Sequence, residues 1–81
     1  MDHSGVLLSN LDQVHTTEMG ADRIRNNLGL DTDDVVSWCI EKISEAGCHI
    51  TRKGKNWYAE TDGCIITVNA SSYTIITAHR S

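Results

Sequence analysis

The chain has 81 residues and a formal net charge of −4, which describes one domain, 1–81, with a small core and no room to enclose a large active site. That acidic balance argues against a general nucleic-acid coat protein, and no apolar run approaches the length of a membrane span. The cysteines, Cys39, Cys48 and Cys64, lack the close pairing of a zinc knuckle and follow no secretory apolar segment. Reduced thiols of a soluble cytoplasmic protein, buried as small hydrophobes, are therefore expected.

Within residues 2–14, Val6, Leu7, Leu8, Leu11 and Val14 are spaced to form the apolar stripe of a short helix. Thr16 and Thr17 ahead of Glu18 signal a second start, because a hydroxyl caps free helix amides and a carboxylate suits the positive end of the dipole. This second helix runs to about Asn27, with Gly29 beyond it. Asp31-Thr32-Asp33-Asp34 is another start signature. A third helix from Asp33 to about Ala46 places Val35, Val36, Cys39, Ile40 and Ile43 on one buried face and stops at Gly47.

Beyond Gly47 the periodicity falls towards two. Strands are expected over Cys48–Lys53, Asn56–Glu60, Cys64–Asn69 and Tyr73–His79, joined through Gly54-Lys55, Thr61-Asp62-Gly63 and Ala70-Ser71-Ser72. Connections this short require antiparallel neighbours. The fold class is α+β, with two or three N-terminal helices packed on a four-stranded antiparallel meander sheet. Alternation turns Ile66, Val68, Ile76 and Ala78 towards the helices and gathers Thr67, Asn69, Tyr73, Thr77 and His79 on the other face.

Charge divides by segment. Residues 1–30 balance at −2 (Asp2, Asp12, Glu18 and Asp22 against Arg23 and Arg25) and residues 31–45 at −4 (Asp31, Asp33, Asp34, Glu41 and Glu45 against Lys42). Residues 46–81 balance at +2, with Arg52, Lys53, Lys55 and Arg80 against Glu60 and Asp62. The β-rich half is thus where an anionic ligand would bind.

His79 offers a titratable acid or base near the cations Lys53 and Lys55, which are the residue types that metal-independent RNA cleavage needs. Arg80 adds positive charge, Asn69, Tyr73 and Thr77 would position substrate, and Trp57, Tyr58 and Tyr73 could stack bases. His15 could bring a second imidazole to the sheet edge, and one of Arg23 and Arg25, which face different ways on their helix, could point at a shared site. Each has a structural alternative: Trp57 closes a small core, His15 belongs to a cap sequence, and His79-Arg80 ends the chain in solvent. Cys48-His49 with Cys64 are the only seeds of a metal site, and adjacent strand residues point to opposite faces, so neither metal nor cofactor is expected.

Four stretches resemble a family of small bacterial domains, domain of unknown function 3781: His15-Thr16-Thr17-Glu18-Met19-Gly20, Arg23-Ile24-Arg25-Asn26-Asn27-Leu28, Lys53-Gly54-Lys55-Asn56-Trp57-Tyr58, and Ile66 through His79. The resemblance covers about residues 14–80 and implies no activity. A weaker resemblance, carried by helices before a meander and by Tyr73-Thr74-Ile75-Ile76-Thr77-Ala78, is to the barnase/EndoU/colicin/RelE-like superfamily of RNA-cleaving toxins. Those toxins are commonly basic, a pattern from which a charge of −4 departs.

Two functions follow as expectations. One is a metal-independent ribonuclease of the bacterial toxin type acting on RNA, a reading that gains from His79 within roughly 10 Å of Lys53 or Lys55 on one concave face and fails if they scatter over opposite faces. The other is a non-enzymatic interaction module of phage or mobile-element origin that binds a basic protein through its acidic third helix and forms a homodimer through its sheet.

Overall fold

The computed structural model describes residues 3–80, with helices preceding a four-stranded antiparallel sheet in the order β1-β2-β3-β4. Asp2, where the expected first helix begins, lies outside the described residues. Helix α1 covers His3–Ser9 and a 3-10 turn covers Leu11–Gln13. Leu7 and Val14 are buried, Leu11 is half-buried, and Val6 and Leu8 face solvent. No helix among the described residues is long and apolar enough to cross a membrane.

Helix α2 covers Glu18–Leu28 and obeys its sequence signals at both ends. The Thr17 side chain accepts the Gly20 amide, and Gly29, in the left-handed conformation, donates its N–H to the Arg25 carbonyl. Helix α3, Val35–Ile43, begins as expected, with Asp34 accepting hydrogen bonds from the Ser37 amide at 3.1 Å and hydroxyl at 2.8 Å. It ends three residues before Ala46. There the Ser44 hydroxyl bonds the Glu41 carbonyl, and Glu45 N–H reaches Lys42, a tighter spacing that turns the chain towards the sheet. Only Val35, Cys39 and Ile43 of its apolar residues are buried, while Val36 and Ile40 stay half-exposed.

The strands are β1 His49–Lys53, β2 Asn56–Thr61, β3 Cys64–Asn69 and β4 Ile75–Arg80. Two-residue turns fix the register. Gly54 takes φ 61° in the first, a type II′ pattern, and Asp62 and Gly63 take φ 48° and 73° in the second, a type I′ pattern. Both turns suit the twist of the strands they join, and both need a residue that tolerates positive φ.

Cross-strand rows assign the two faces. Ile50, Ala59, Ile66 and Ala78 form one row, and Trp57 and Val68 lie opposite Ile75 in the next; these pack on the helices and form the core with Leu7, Ile24, Leu28, Val35, Cys39 and Ile43. A bulge opposite Thr67 and Val68 inserts one extra residue in β4. It reverses the expected placement of the isoleucines: Ile75 is 1% exposed and Ile76 39% exposed.

The edge of β4 is closed by the N-terminal half. His15 pairs with Thr74 as a parallel bridge, through His15 N–H to the Tyr73 carbonyl and Ile75 N–H to the His15 carbonyl at 2.7 Å. The Thr16 hydroxyl donates to the Ile75 carbonyl at 2.9 Å and Asn27 Nδ2 to the Ala78 carbonyl at 3.2 Å.

Candidate functional site

The sheet face turned away from the helices carries three rows: His49, Glu60, Ile65 and His79; Thr51, Tyr58, Thr67 and Thr77; then Lys53, Asn56 and Asn69. A shallow depression of about 520 Å³ lies over its β1 side, lined by His49, Thr51, Lys53, Gly54, Tyr58, Glu60 and Ile65. Of these, Lys53 was a candidate for catalysis, Tyr58 for base stacking and His49 for a metal site. The others could have been found from the register that the two-residue turns impose.

His79 and Lys53 share this exposed face but stand at diagonally opposite corners. His79 heads the row that ends at His49, and Lys53 lies four residues along β1 from His49. Three strand spacings and four residues of rise put about 20 Å between their backbone positions. Lys55 lies in the β1–β2 turn, at a comparable backbone distance from His79. Backbone spacing thus does not favour a His79–lysine pair.

Most of the remaining candidates make contacts within the fold. Trp57 is 1% exposed in the core, its indole N–H unpartnered among the described residues. The Tyr73 ring packs against it, tilted by 44° with centroids 5.4 Å apart, and so is on the core side and not on the open face. Asn69 Oδ1 accepts the Ser71 and Ser72 amides, both at 3.0 Å, which shapes the loop before β4. His15 Nδ1 lies 2.9 Å from the Gln13 carbonyl and therefore carries a proton, while Nε2 meets the Thr74 hydroxyl at 3.0 Å. Arg80 donates to the Leu28 carbonyl at the end of α2. Thr77 is half-buried with Asn27 Nδ2 3.5 Å from its hydroxyl, and Arg23 is exposed on α2. Arg25, its neighbour, pairs with Asp22.

Acidic residues gather around α3: Asp31, Asp33 and Asp34 precede it, Glu41 lies on it and Glu45 follows it. A groove of about 390 Å³ is lined by Thr32, Asp34, Ser37, Trp38, Ile40 and Glu41. The Ser37 amide, and then its hydroxyl, hold the Asp34 carboxyl below its ordinary range. Lys42 is neutralised locally: its ammonium reaches Asp62 at 2.8 Å and Glu45 at 3.3 Å, and lies over the Trp38 ring at 5.5 Å. These contacts raise the Lys42 pKa and lower that of Asp62. Asp31, Asp33 and Glu41 are exposed and form no ion pair among the described residues.

The model of a family described as "Protein of unknown function (DUF3781)" matches residues 8–79. The chain belongs to that family. No curated protein and no solved structure matches it. The DUF3781 match spans α2, α3 and the whole of β1 to β3, and of the candidate residues it leaves out only Arg80. The three thiols of this DUF3781 chain are free, and burial pushes all of them upward, Cys39 to about 12. They stay protonated at neutral pH and act as small hydrophobes.

Proposed function

We propose that this chain is a non-enzymatic protein-interaction module that holds a basic segment of a partner protein along α3. The observation that carries this reading is the groove whose lining brings the apolar side chains of Trp38 and Ile40 together with the carboxylates of Asp34 and Glu41. An arginine or lysine stem can lie on such apolar side chains while its charge meets the carboxylates. Lys42 already sets its own ammonium over Trp38 in this way. A cap needs only Asp34, so Asp31, Asp33 and Glu41 remain for a cationic ligand. The ribonuclease reading has an exposed His79, but its nearest candidate cation on the open face is about 20 Å away in backbone position.

Titration with a short peptide alternating Lys and Leu, followed by the fluorescence of half-buried Trp38, tests the proposal. Exchanging Asp31 and Asp33 for Asn and Glu41 for Gln is expected to weaken binding about tenfold, from three exposed charge contacts of about half a kcal/mol each. Added salt is expected to weaken the parent in the same direction. Unchanged affinity in the triple variant would remove the α3 reading. RNA cleavage in the presence of EDTA, abolished by His79→Ala, would replace it with the ribonuclease.

A further inference from the structure

The β1 edge presents backbone groups of a different kind from the rest of the sheet. In a two-residue hairpin the flanking pair, here Lys53 and Asn56, is hydrogen-bonded, and bonded pairs then alternate along the strands. Lys53, Thr51 and His49 therefore bond to β2, while the N–H and C=O of Ile50 and Arg52 point outward. Among the described residues no other element bonds to those outward groups. We propose that this edge takes up an extended acidic peptide segment as an added β-strand. The inference is independent of the α3 reading.

Charge selects this occupant. Arg52, Lys53 and Lys55 are exposed along the edge and its turn, and none forms an ion pair among the described residues. Arg52 lies over the Trp57 ring at 5.7 Å, and its Nε donates to the Gly54 carbonyl at 3.0 Å, so this cation is held at the strand rather than dispersed in solvent. A second copy is a poor occupant: antiparallel pairing about Thr51 would set each copy's His49 opposite the other's Lys53 and line one seam with the cations of both. RNA is a poor one too, since this chain of charge −4 buries Trp57 and cannot offer its ring to a base. A peptide supplies what both lack, carbonyl and amide groups at strand spacing together with carboxylates. Beside Thr51, an apolar side chain of the added strand would reach the depression over Tyr58 and Ile65.

The edge also fits a simpler role, a short cationic strand that resists aggregation. Titration of the full chain, followed by amide NMR, separates the two. The probes are a capped peptide alternating Glu and Val, its counterpart alternating Lys and Val, and a uridine oligonucleotide of similar length. The expected result is that the Glu peptide shifts the Ile50 and Arg52 amides and slows their exchange, binding about tenfold or more tighter than the Lys peptide. Arg52→Pro removes an outward N–H without breaking the ladder to β2 and should abolish binding, whereas Arg52→Gln should weaken it only a few-fold. Should the proline variant fail to fold, exchange of Arg52, Lys53 and Lys55 for Gln is expected to erase the preference for the Glu peptide. The proposal is overturned if the Ile50 and Arg52 amides do not respond, which leaves a guarded edge. It is also overturned if the oligonucleotide binds more tightly, or if those amides are already protected in a dimer of the free chain.

Discussion

Along β4 the outward carbonyls of Ile75 and Ala78 accept hydrogen bonds from Thr16 and Asn27, and the Ile75 amide donates to His15. Along β1 the outward groups of Ile50 and Arg52 hydrogen-bond to no other described element, and cationic side chains stand beside them. One edge is closed by residues about fifty to sixty positions away in sequence, which tie the N-terminal half to the last strand. The other, against which α1 lies, has no such hydrogen-bonding partner among the described residues. The contrast teaches that the same unpaired backbone groups can be satisfied by tertiary structure at one edge and presented to a ligand at the other.

The largest effect should come from breaking the closed side. Ile24 is fully buried on α2, which packs against β4. Ile24→Ala should destabilise the chain by about 2–5 kcal/mol in denaturant titration, through lost burial and the cavity left behind. A loss below about half a kcal/mol would mean that α2 is not what secures this edge.

Gly20→Ala sharpens the same point. In an open helix this exchange stabilises by about 1 kcal/mol. Here an added Cβ would collide with the Thr16 hydroxyl and come within 3.2 Å of the Thr17 hydroxyl and 3.7 Å of the Ile75 carbonyl. Thr16 is β-branched and committed to Ile75, so it yields little. The expected outcome in the same titration is a loss of about 1–3 kcal/mol, opposite in sign to propensity.

Much of this architecture can be read from the sequence because its signals are local. Thr17 and Gly29 bound α2, Asp34 starts α3, and Gly54 and Asp62-Gly63 set two turns whose chemistry forces a meander. The exchange of Ile75 for Ile76 in the core was not legible. It goes with a bulge in β4 and with Tyr73 at φ 60°, next to the bridge between His15 and Thr74. Alternation from Tyr73 onward carries no sign of such a slip. Ile40 falls on the apolar stripe of α3 yet stays half-buried, since three helices leave the outer flank of that stripe uncovered.

The candidate site divides in the same way. Charge segregation was visible in composition, and the α3 carboxylates and the β1 cations do lie on different elements. Whether residues converge was not visible in composition: His79 and Lys53 belong to one face, but strand order puts them at opposite corners. Trp57 and Tyr73 look equally suited to a base or to a core until Trp57 is found buried with the half-buried Tyr73 ring packed against it.

Amide hydrogen exchange of the free chain, resolved at single residues, tests the contrast between the edges most directly. The Ile75 amide, bonded to His15 at 2.7 Å, should be protected close to the level of global unfolding. The Ile50 and Arg52 amides should exchange orders of magnitude faster, near the rate of exposed chain, while Thr51 between them stays protected by β2. Equal protection of Ile50, Arg52 and Ile75 would contradict an open β1 edge.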